Sequence, residues 1–274
     1  MLPLRDRLPT RRPPIVNYLL IATNVVAFVW MQALISVGGI SARERMLRAH
    51  ELVMDWGLVP DDLLTRPFAE LPTVLTSMFM HDPSGWGHIA GNMLFLWIFG
   101  DNVEDALGSV RYALFYVLCG AGAAAAQILV DPTSQIPMVG ASGAISGVLA
   151  AYGSLYPRSP ITVLNPIPLL WFVFGFFFEL PAWVIILEYF VVNLFSGVGS
   201  LGMEGGGVAF FAHLGGFVAG MLLVRFFMVG RAPRDHDRWT RFRSPPSPPR
   251  ARSPYGAPYG QPRRPPRSQD PWGW

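Results

Sequence analysis

Charge is scarce in this sequence. Of its 274 residues 14% are charged, and lysine is absent, so that all 21 basic residues are arginine. A soluble globular domain usually has about a quarter of its residues charged, whereas 51% of this chain is hydrophobic and its mean hydropathy is +0.35. The composition therefore argues against a soluble protein and indicates a membrane protein.

Cysteine is equally scarce. Cys119 is the single cysteine of the chain, which excludes an internal disulfide and a CxxC metal motif. It lies within an apolar run, and we interpret it as a small buried apolar residue. We expect neither a metal ion nor any other cofactor.

The body of the chain, residues 1–230, has no net basic charge. Residues 231–274 contain ten arginines and three aspartates, a net charge of +7, and the net charge of the whole chain is +3, which leaves −4 for residues 1–230. This distribution excludes a nucleic-acid-binding face on the body. The same tail has eleven prolines among its 44 residues, so we expect it to be disordered with polyproline II character.

Long uncharged runs are the main positive feature of the sequence. A helix needs about 20 residues to cross about 30 Å of hydrocarbon. Four stretches meet this requirement directly: Ile15–Val37, Tyr112–Val130, Ile136–Tyr156 and Gly205–Val224. The first of them is too long for the apolar part of a cleavable signal and follows four arginines, so we interpret it as a retained signal anchor.

Two further stretches are harder to assign. Gly87–Gly100 is short, but it becomes long enough if its helix begins at Trp86 and continues towards the interface. Ile161–Met203 is interrupted by prolines and glutamates, and the arginine distribution requires it to cross the membrane once. We assign that crossing to roughly Pro181–Phe195 and treat Ile161–Phe178 as a proline-broken interfacial or re-entrant piece.

These assignments predict an all-α polytopic membrane protein. Its core is a bundle of six transmembrane helices over residues 15–230, which follows a short basic segment at residues 1–14 and precedes the disordered tail. The excess of arginine in the two terminal segments predicts that both termini are cytoplasmic. We expect an integral, multi-pass protein of a bacterial cell membrane, in contact with the lipid bilayer and with no nucleic acid.

Two loops differ from the rest. Residues 36–87 form a long outer loop with amphipathic stretches, which predicts a segment that lies partly in the membrane interface. Residues 197–207 contain six glycines, and we expect them to form a mobile loop before the last span.

Ser142 and His213 are the first candidate pair for chemistry, because polar groups inside a bilayer are costly. Each is ambiguous alone: a small-residue helix around Ser142 is more often a packing surface, and a lone histidine can simply bond a neighbouring helix. However, Gly143 begins a GxxxG pattern and Gly216 lies within a small-residue ridge, which allows two helix backbones to approach closely. Such proximity lets an imidazole activate a serine hydroxyl.

His88 and Asn92 are the second candidate pair. They are spaced i, i+4 on one helix face, towards the same outer side as Ser142 and His213. Both side chains can donate to an oxyanion, as can the Ser142 backbone N–H, although a structural bond between helices is the alternative. We interpret His81 as a structural residue that braces this helix, because no zinc motif includes it.

Three motifs together resemble those of rhomboid proteases. His88–Gly100 resembles the HxxxN second span of that family, Gly140–Gly143 its GxSG nucleophile motif, and Ala212–Gly220 its last-span histidine motif. They occur in the family's order, and the resemblance covers roughly residues 15–230.

The resemblance implies an intramembrane serine endopeptidase with Ser142 as nucleophile and His213 as general base. It further implies an oxyanion hole of His88, Asn92 and the Ser142 amide. The implied substrates are single-span or polytopic membrane proteins, cleaved without ATP or metal. Many family members carry an aromatic residue one turn after the nucleophile that packs on the histidine, whereas this chain has Ser146, which leaves the support of His213 unexplained.

Two alternatives remain at this stage. One is a non-catalytic rhomboid-like protein that binds membrane clients, although the chain keeps every residue of the three motifs. The other is a small transporter that uses Glu179 and Glu188. The simpler interpretations are a kink-stabilising hydrogen bond or an interfacial position for Glu179, and a hydrogen bond within the helix bundle for Glu188.

Overall fold

The computed structural model describes residues 2–38, 41–165, 175–200 and 210–231. Its helices and strands follow in chain order: β1 Leu2–Asp6, α1 Ile15–Ser36, α2 Ala42–Trp56, α3 Pro60–Thr65, α4 Pro67–Glu70, α5 Thr73–Thr76, α6 Trp86–Phe95, a π-helical turn Leu96–Gly100, α7 Asp101–Leu107, α8 Ser109–Val130, α9 Ser142–Leu155, β2 Pro160–Leu164, β3 Phe177–Pro181, α10 Ala182–Ser200 and α11 Phe210–Phe227. The predicted disordered tail lies beyond Arg231, outside the described residues.

Four of these helices, α1, α8, α10 and α11, are long and apolar enough to cross a membrane. The predicted short second span is part of a longer helical rod, because α6, the π-helical turn and α7 follow one another with helical backbone angles at each junction. With α9 these elements form a helical bundle, which confirms the expected polytopic membrane fold.

The fourth predicted span differs from its expected bounds. The helix begins at Ser142, not at Ile136, and its 14 residues are about 21 Å long. Ten consecutive residues, from Gly143 to Tyr152, are buried among the other helices. A helix that is enclosed by protein does not have to match the thickness of the hydrocarbon, which is why a short helix is sufficient here.

Glycine allows α9 and α11 to touch along their backbones. A Cβ atom on Gly216 would collide with the carbonyl of Gly143, and one on Gly220 would collide with the backbone of Gly147. On its other side α9 meets α8, where a Cβ on Gly143 would lie 2.6 Å from that of Ala123. The predicted role of the small residues in close helix packing is therefore confirmed.

The segment before α10, for which we expected a proline-broken interfacial or re-entrant piece, contains the two antiparallel strands β2 and β3. β2 pairs with β3 and with the N-terminal strand β1, and all three strands are antiparallel. Glu179 on β3 forms an ion pair with Arg7, and both side chains are partly exposed. Residues 166–174 are not described.

The two predicted loops contain more helix than expected. The outer loop holds α2, which has a capping box between Ser41 and Glu44, and three short helices follow it. The predicted glycine-rich loop begins later than residue 197, because α10 continues to Ser200. Residues 201–209, which hold most of its glycines, lie outside the described residues.

We expect Gly220→Ala to lower stability, because its methyl group would separate α11 from the backbone of Gly147. Overpacking of this kind costs about 1–3 kcal/mol, and it should lower the thermal unfolding temperature in detergent. Gly91→Ala is the matched control, since this helical glycine faces open space. Equal unfolding temperatures for the two variants would contradict the packing argument.

Asp6 should make stability depend on pH. Burial raises the pKa of this carboxyl group from 3.8 to about 7, the nearby Asp101 adds to the effect, and the hydrogen bond from Tyr152 opposes it. The folded state therefore favours the protonated form. The contribution of Asp6 is complete below its unfolded pKa and is lost as the pH rises through about 7.

Thermal unfolding measured from roughly pH 5 to roughly pH 8.5 tests this expectation. The wild-type unfolding temperature should fall over that range more steeply than that of Asp6→Asn, whose side chain does not titrate. Parallel curves for the two proteins would show that Asp6 is not the responsible group.

Candidate active site

Ser142 is the first residue of α9, at the end of an irregular segment that follows α8. Backbone hydrogen bonds between Leu58 and Met138 tie that segment to the outer loop, and the Gly140 N–H donates to the Ser77 carbonyl over 2.9 Å. A helix beginning at Ser142 leaves the N–H of this residue without a partner inside the helix. The sequence interpretation, with a helix from Ile136, did not foresee this position.

The structure brings Ser142 and His213 together. His213 lies in the first turn of α11, and its Nε2 atom is 2.8 Å from Ser142 Oγ. The backbone contact between Gly143 and Gly216, one turn away from the histidine, holds the two helices close enough for this bond. Both side chains are only half-buried, so a reactant can reach them.

Two further side chains contact His213, and both come from α10. Asn193 Oδ1 is 2.6 Å from His213 Nδ1. The ring of Tyr189 lies against the imidazole with the centroids 6.2 Å apart and the planes inclined by 36°, and its hydroxyl is 2.6 Å from Ser146 Oγ. The aromatic ring that was missing at position 146 is therefore supplied by the neighbouring helix.

Sequence reasoning missed Tyr189 and Asn193. Their i, i+4 spacing places them on one face of α10, and a polar pair at that spacing within an apolar span is a signal that could have identified them. The sequence alone could not show which neighbouring helix this face meets.

His88 faces the serine across the space beside Gly140. A Cβ atom at Gly140 would lie 3.0 and 3.1 Å from the Cε1 and Nε2 atoms of His88 and 3.5 Å from Ser142 Oγ. The backbone angle φ of Gly140 is +123°, which side-chain-bearing residues rarely adopt. Glycine at this position thus keeps a small space free between the imidazole and the hydroxyl.

Asn92 and His81 form a buried pair behind His88. Asn92 Nδ2 is 3.0 Å from His81 Nε2, and His81 is fully buried. One of the two amide hydrogens of Asn92 suffices for this bond, so the amide retains a second donor. His81 packs edge to face on His88 at 5.2 Å, and no cluster of three potential metal ligands occurs among the described residues.

The arrangement has the parts that acyl transfer requires. The Ser142 hydroxyl contacts the His213 imidazole, and Ser142 stands at the N-terminus of α9. The His88 imidazole and the Asn92 amide lie nearby. A hydroxyl bonded to a base is activated as a nucleophile, and donors around the adjacent space stabilise a developing oxyanion.

Three curated proteins are similar to parts of this chain. Rhomboid protease GluP of Bacillus subtilis is 33% identical over 138 residues, which are 50% of this chain and 24% of that protein. Rhomboid protein 1 of Saccharomyces cerevisiae, which is mitochondrial, is 27% identical over 156 residues, 55% of this chain and 40% of that protein. The chloroplastic Rhomboid-like protein 11 of Arabidopsis thaliana is 40% identical over 76 residues, 28% of this chain and 26% of that protein.

The matched stretches thus span between a quarter and two fifths of the length of these relatives. The sequence model of the rhomboid domain family matches residues 69–229, which are more than half of this chain. That range includes all of the candidate site residues described above. The chain belongs to the rhomboid family.

Proposed function

We propose that this chain is an intramembrane serine endopeptidase that hydrolyses peptide bonds in or near transmembrane segments of membrane proteins. The bond of 2.8 Å between Ser142 Oγ and His213 Nε2 carries this proposal. The relative from Bacillus subtilis, which is named a rhomboid protease, supports it.

In the first half of the reaction Ser142 Oγ attacks the substrate carbonyl carbon while His213 Nε2 accepts the hydroxyl proton. The carbonyl oxygen becomes an oxyanion in the space beside Gly140. The His88 imidazole, the Asn92 amide and the Ser142 backbone N–H are the proposed donors to it. His213 then donates its proton to the leaving nitrogen as the peptide bond breaks, which leaves an acyl-enzyme and a free amine.

In the second half, water loses a proton to His213 and attacks the acyl carbon. Collapse of the second oxyanion releases the carboxylic acid product, and His213 returns the proton to Ser142. The balance is one water consumed for each peptide bond cleaved, and neither ATP nor a metal ion takes part.

Apolar surroundings support membrane proteins as the substrates. The spans around the site expose large apolar side chains such as Leu187 and Phe195 of α10 and Met221 of α11, as expected for helices in contact with lipid. We also propose that the site opens towards the outer side of a bacterial cell membrane, with both termini in the cytoplasm, because arginine is concentrated at those termini.

We expect Ser142→Ala to abolish cleavage of a model single-span substrate in proteoliposomes, because it removes the hydroxyl that contacts His213 and forms the acyl-enzyme. Loss of the nucleophile lowers kcat by about 10⁴-fold or more in serine proteases. Ser154→Ala is the matched control: this hydroxyl lies on the same helix, bonds the Ala150 carbonyl, and should be dispensable.

A fluorophosphonate probe should label the wild-type protein and leave Ser142→Ala unlabelled. Absence of both cleavage and labelling in folded wild-type protein would overturn the proposal and favour the non-catalytic client-binding alternative. Cleavage that persists in Ser142→Ala would refute the assignment of the nucleophile.

We expect Gly140→Ala to lower kcat by roughly 100-fold or more, because its methyl group would occupy the space proposed for the oxyanion. Gly230→Ala is the matched control, since Gly230 also has a positive φ, +76°, but faces open space far from the site. If both variants retain the same kcat, the oxyanion does not form beside Gly140.

A further inference from the structure

We propose that Asn193 is a positioning residue of this site, which accepts the Nδ1–H of His213 and so holds the imidazole in the tautomer that can take the proton of Ser142. This proposal rests on the proposed function, because it concerns how the general base is prepared. The inference follows from the hydrogen-bonding capacity of three side chains and one backbone carbonyl.

The Tyr189 carbonyl fixes the orientation of the Asn193 amide. Its Nδ2 atom donates to the Tyr189 carbonyl, one turn earlier on α10, over 2.8 Å. A carbonyl oxygen can only accept, so the nitrogen of the amide must be the atom on that side. The Oδ1 atom is therefore the one that faces His213 at 2.6 Å.

The tautomer of His213 follows from that orientation. An amide oxygen has no hydrogen to donate, so a bond between Asn193 Oδ1 and His213 Nδ1 requires the hydrogen on Nδ1. In a neutral imidazole Nε2 then has a free lone pair. That lone pair lies 2.8 Å from Ser142 Oγ and can accept the hydroxyl hydrogen. In the opposite tautomer the bond to Asn193 Oδ1 could not form, and Nε2 would donate to Ser142 Oγ instead of accepting its hydrogen.

The surroundings of Asn193 hold it in place. Only 7% of the surface of Asn193 is exposed, so water competes little with His213 for the hydrogen bond to its Oδ1 atom. Tyr189 braces the ring of His213 from the same face of α10, and its hydroxyl meets Ser146, which in turn donates to the Ser142 carbonyl over 2.7 Å. Together with the bonds of His213 to Ser142 and Asn193, these contacts form a network that connects α9, α10 and α11.

A purely structural role is the competing explanation, because a buried asparagine between two helices also adds stability. The acceptor role and the structural role differ in what they predict. If Asn193 acts through His213, its loss should lower kcat and leave KM unchanged, and a side chain that keeps only the acceptor oxygen should restore the rate.

The test compares Asn193→Ala and Asn193→Asp with wild-type protein and with Asn24→Ala, using the same proteoliposome cleavage assay. Asn24 is the matched control: it is fully buried in α1 and makes the same bond to a carbonyl one turn earlier, that of Leu20. We expect Asn193→Ala to lose about 10- to 100-fold in kcat at unchanged KM, since an incorrectly held imidazole impairs general-base catalysis. We expect Asn193→Asp to recover most of the loss, because it retains an acceptor oxygen but no amide hydrogen.

Nitrogen NMR of protein labelled with ¹⁵N in its histidine rings reports which ring nitrogen carries the hydrogen. A change in stability alone would not alter this property. In wild-type protein the Nδ1 atom of His213 should carry the hydrogen and Nε2 should show the shift of an unprotonated ring nitrogen, with His213→Gln identifying the signals. In Asn193→Ala this preference should be lost, whereas in Asn24→Ala it should persist.

The outcomes separate the two proposals. Wild-type kcat in Asn193→Ala, or an equal loss in Asn24→Ala, would overturn the positioning role while Ser142→Ala still tests the protease itself. An unchanged His213 tautomer in Asn193→Ala would overturn it even if activity fell. If wild-type protein cleaves nothing, the proposed function fails, and the NMR comparison still decides whether Asn193 sets the tautomer.

Discussion

The contact of α9 with α11 is the constraint on which the rest of the structure depends. Gly143 and Gly147 meet Gly216 and Gly220 backbone to backbone, and a Cβ atom on either glycine of α11 would collide with the backbone of α9. A Cβ atom on Gly143 or Gly147 would instead collide with side chains of α8. In a membrane there is little hydrophobic gain from bringing helices together, so close packing of small residues has to hold them. The same contact sets the distance between Ser142 and His213, because both side chains lie one turn or less from it.

The polar side chains of the candidate site are paired with one another. His213 has Ser142 on one ring nitrogen and Asn193 on the other, and Asn92 bonds the buried His81 beside His88. Unpaired polar groups in a low-dielectric interior cost free energy, so pairing of this kind makes the site compatible with a membrane-embedded bundle. It also means that the side chains are held before any substrate arrives, which is the condition for effective electrostatic stabilisation of an oxyanion.

Much of the fold could be read from composition and run length. Ile15–Ser36 and Ser109–Val130 are helices almost where their uncharged runs predicted them, because a bilayer imposes a minimum length and leaves helices as the simplest way to satisfy the backbone. The predicted helix before Ser142 was wrong, and the three strands were not predicted. The segment before Ser142 is irregular instead of helical, and the run after Arg158 contains two strands, one of which pairs with the N-terminal strand. In both places backbone partners from distant segments replace those of a helix.

The sequence by itself determined the membrane-protein class, the approximate spans and the three motifs that contain Ser142, His213 and the His88–Asn92 pair. These follow from local properties, namely hydropathy, residue spacing and the small size of glycine. Only the tertiary structure decided that Ser142 begins a helix, that Gly140 leaves a space beside it, and that Tyr189 and Asn193 support His213. The physical reason is that a hydrogen bond between two helices depends on their relative rotation and separation, which result from packing along the whole interface and are not written in either helix alone.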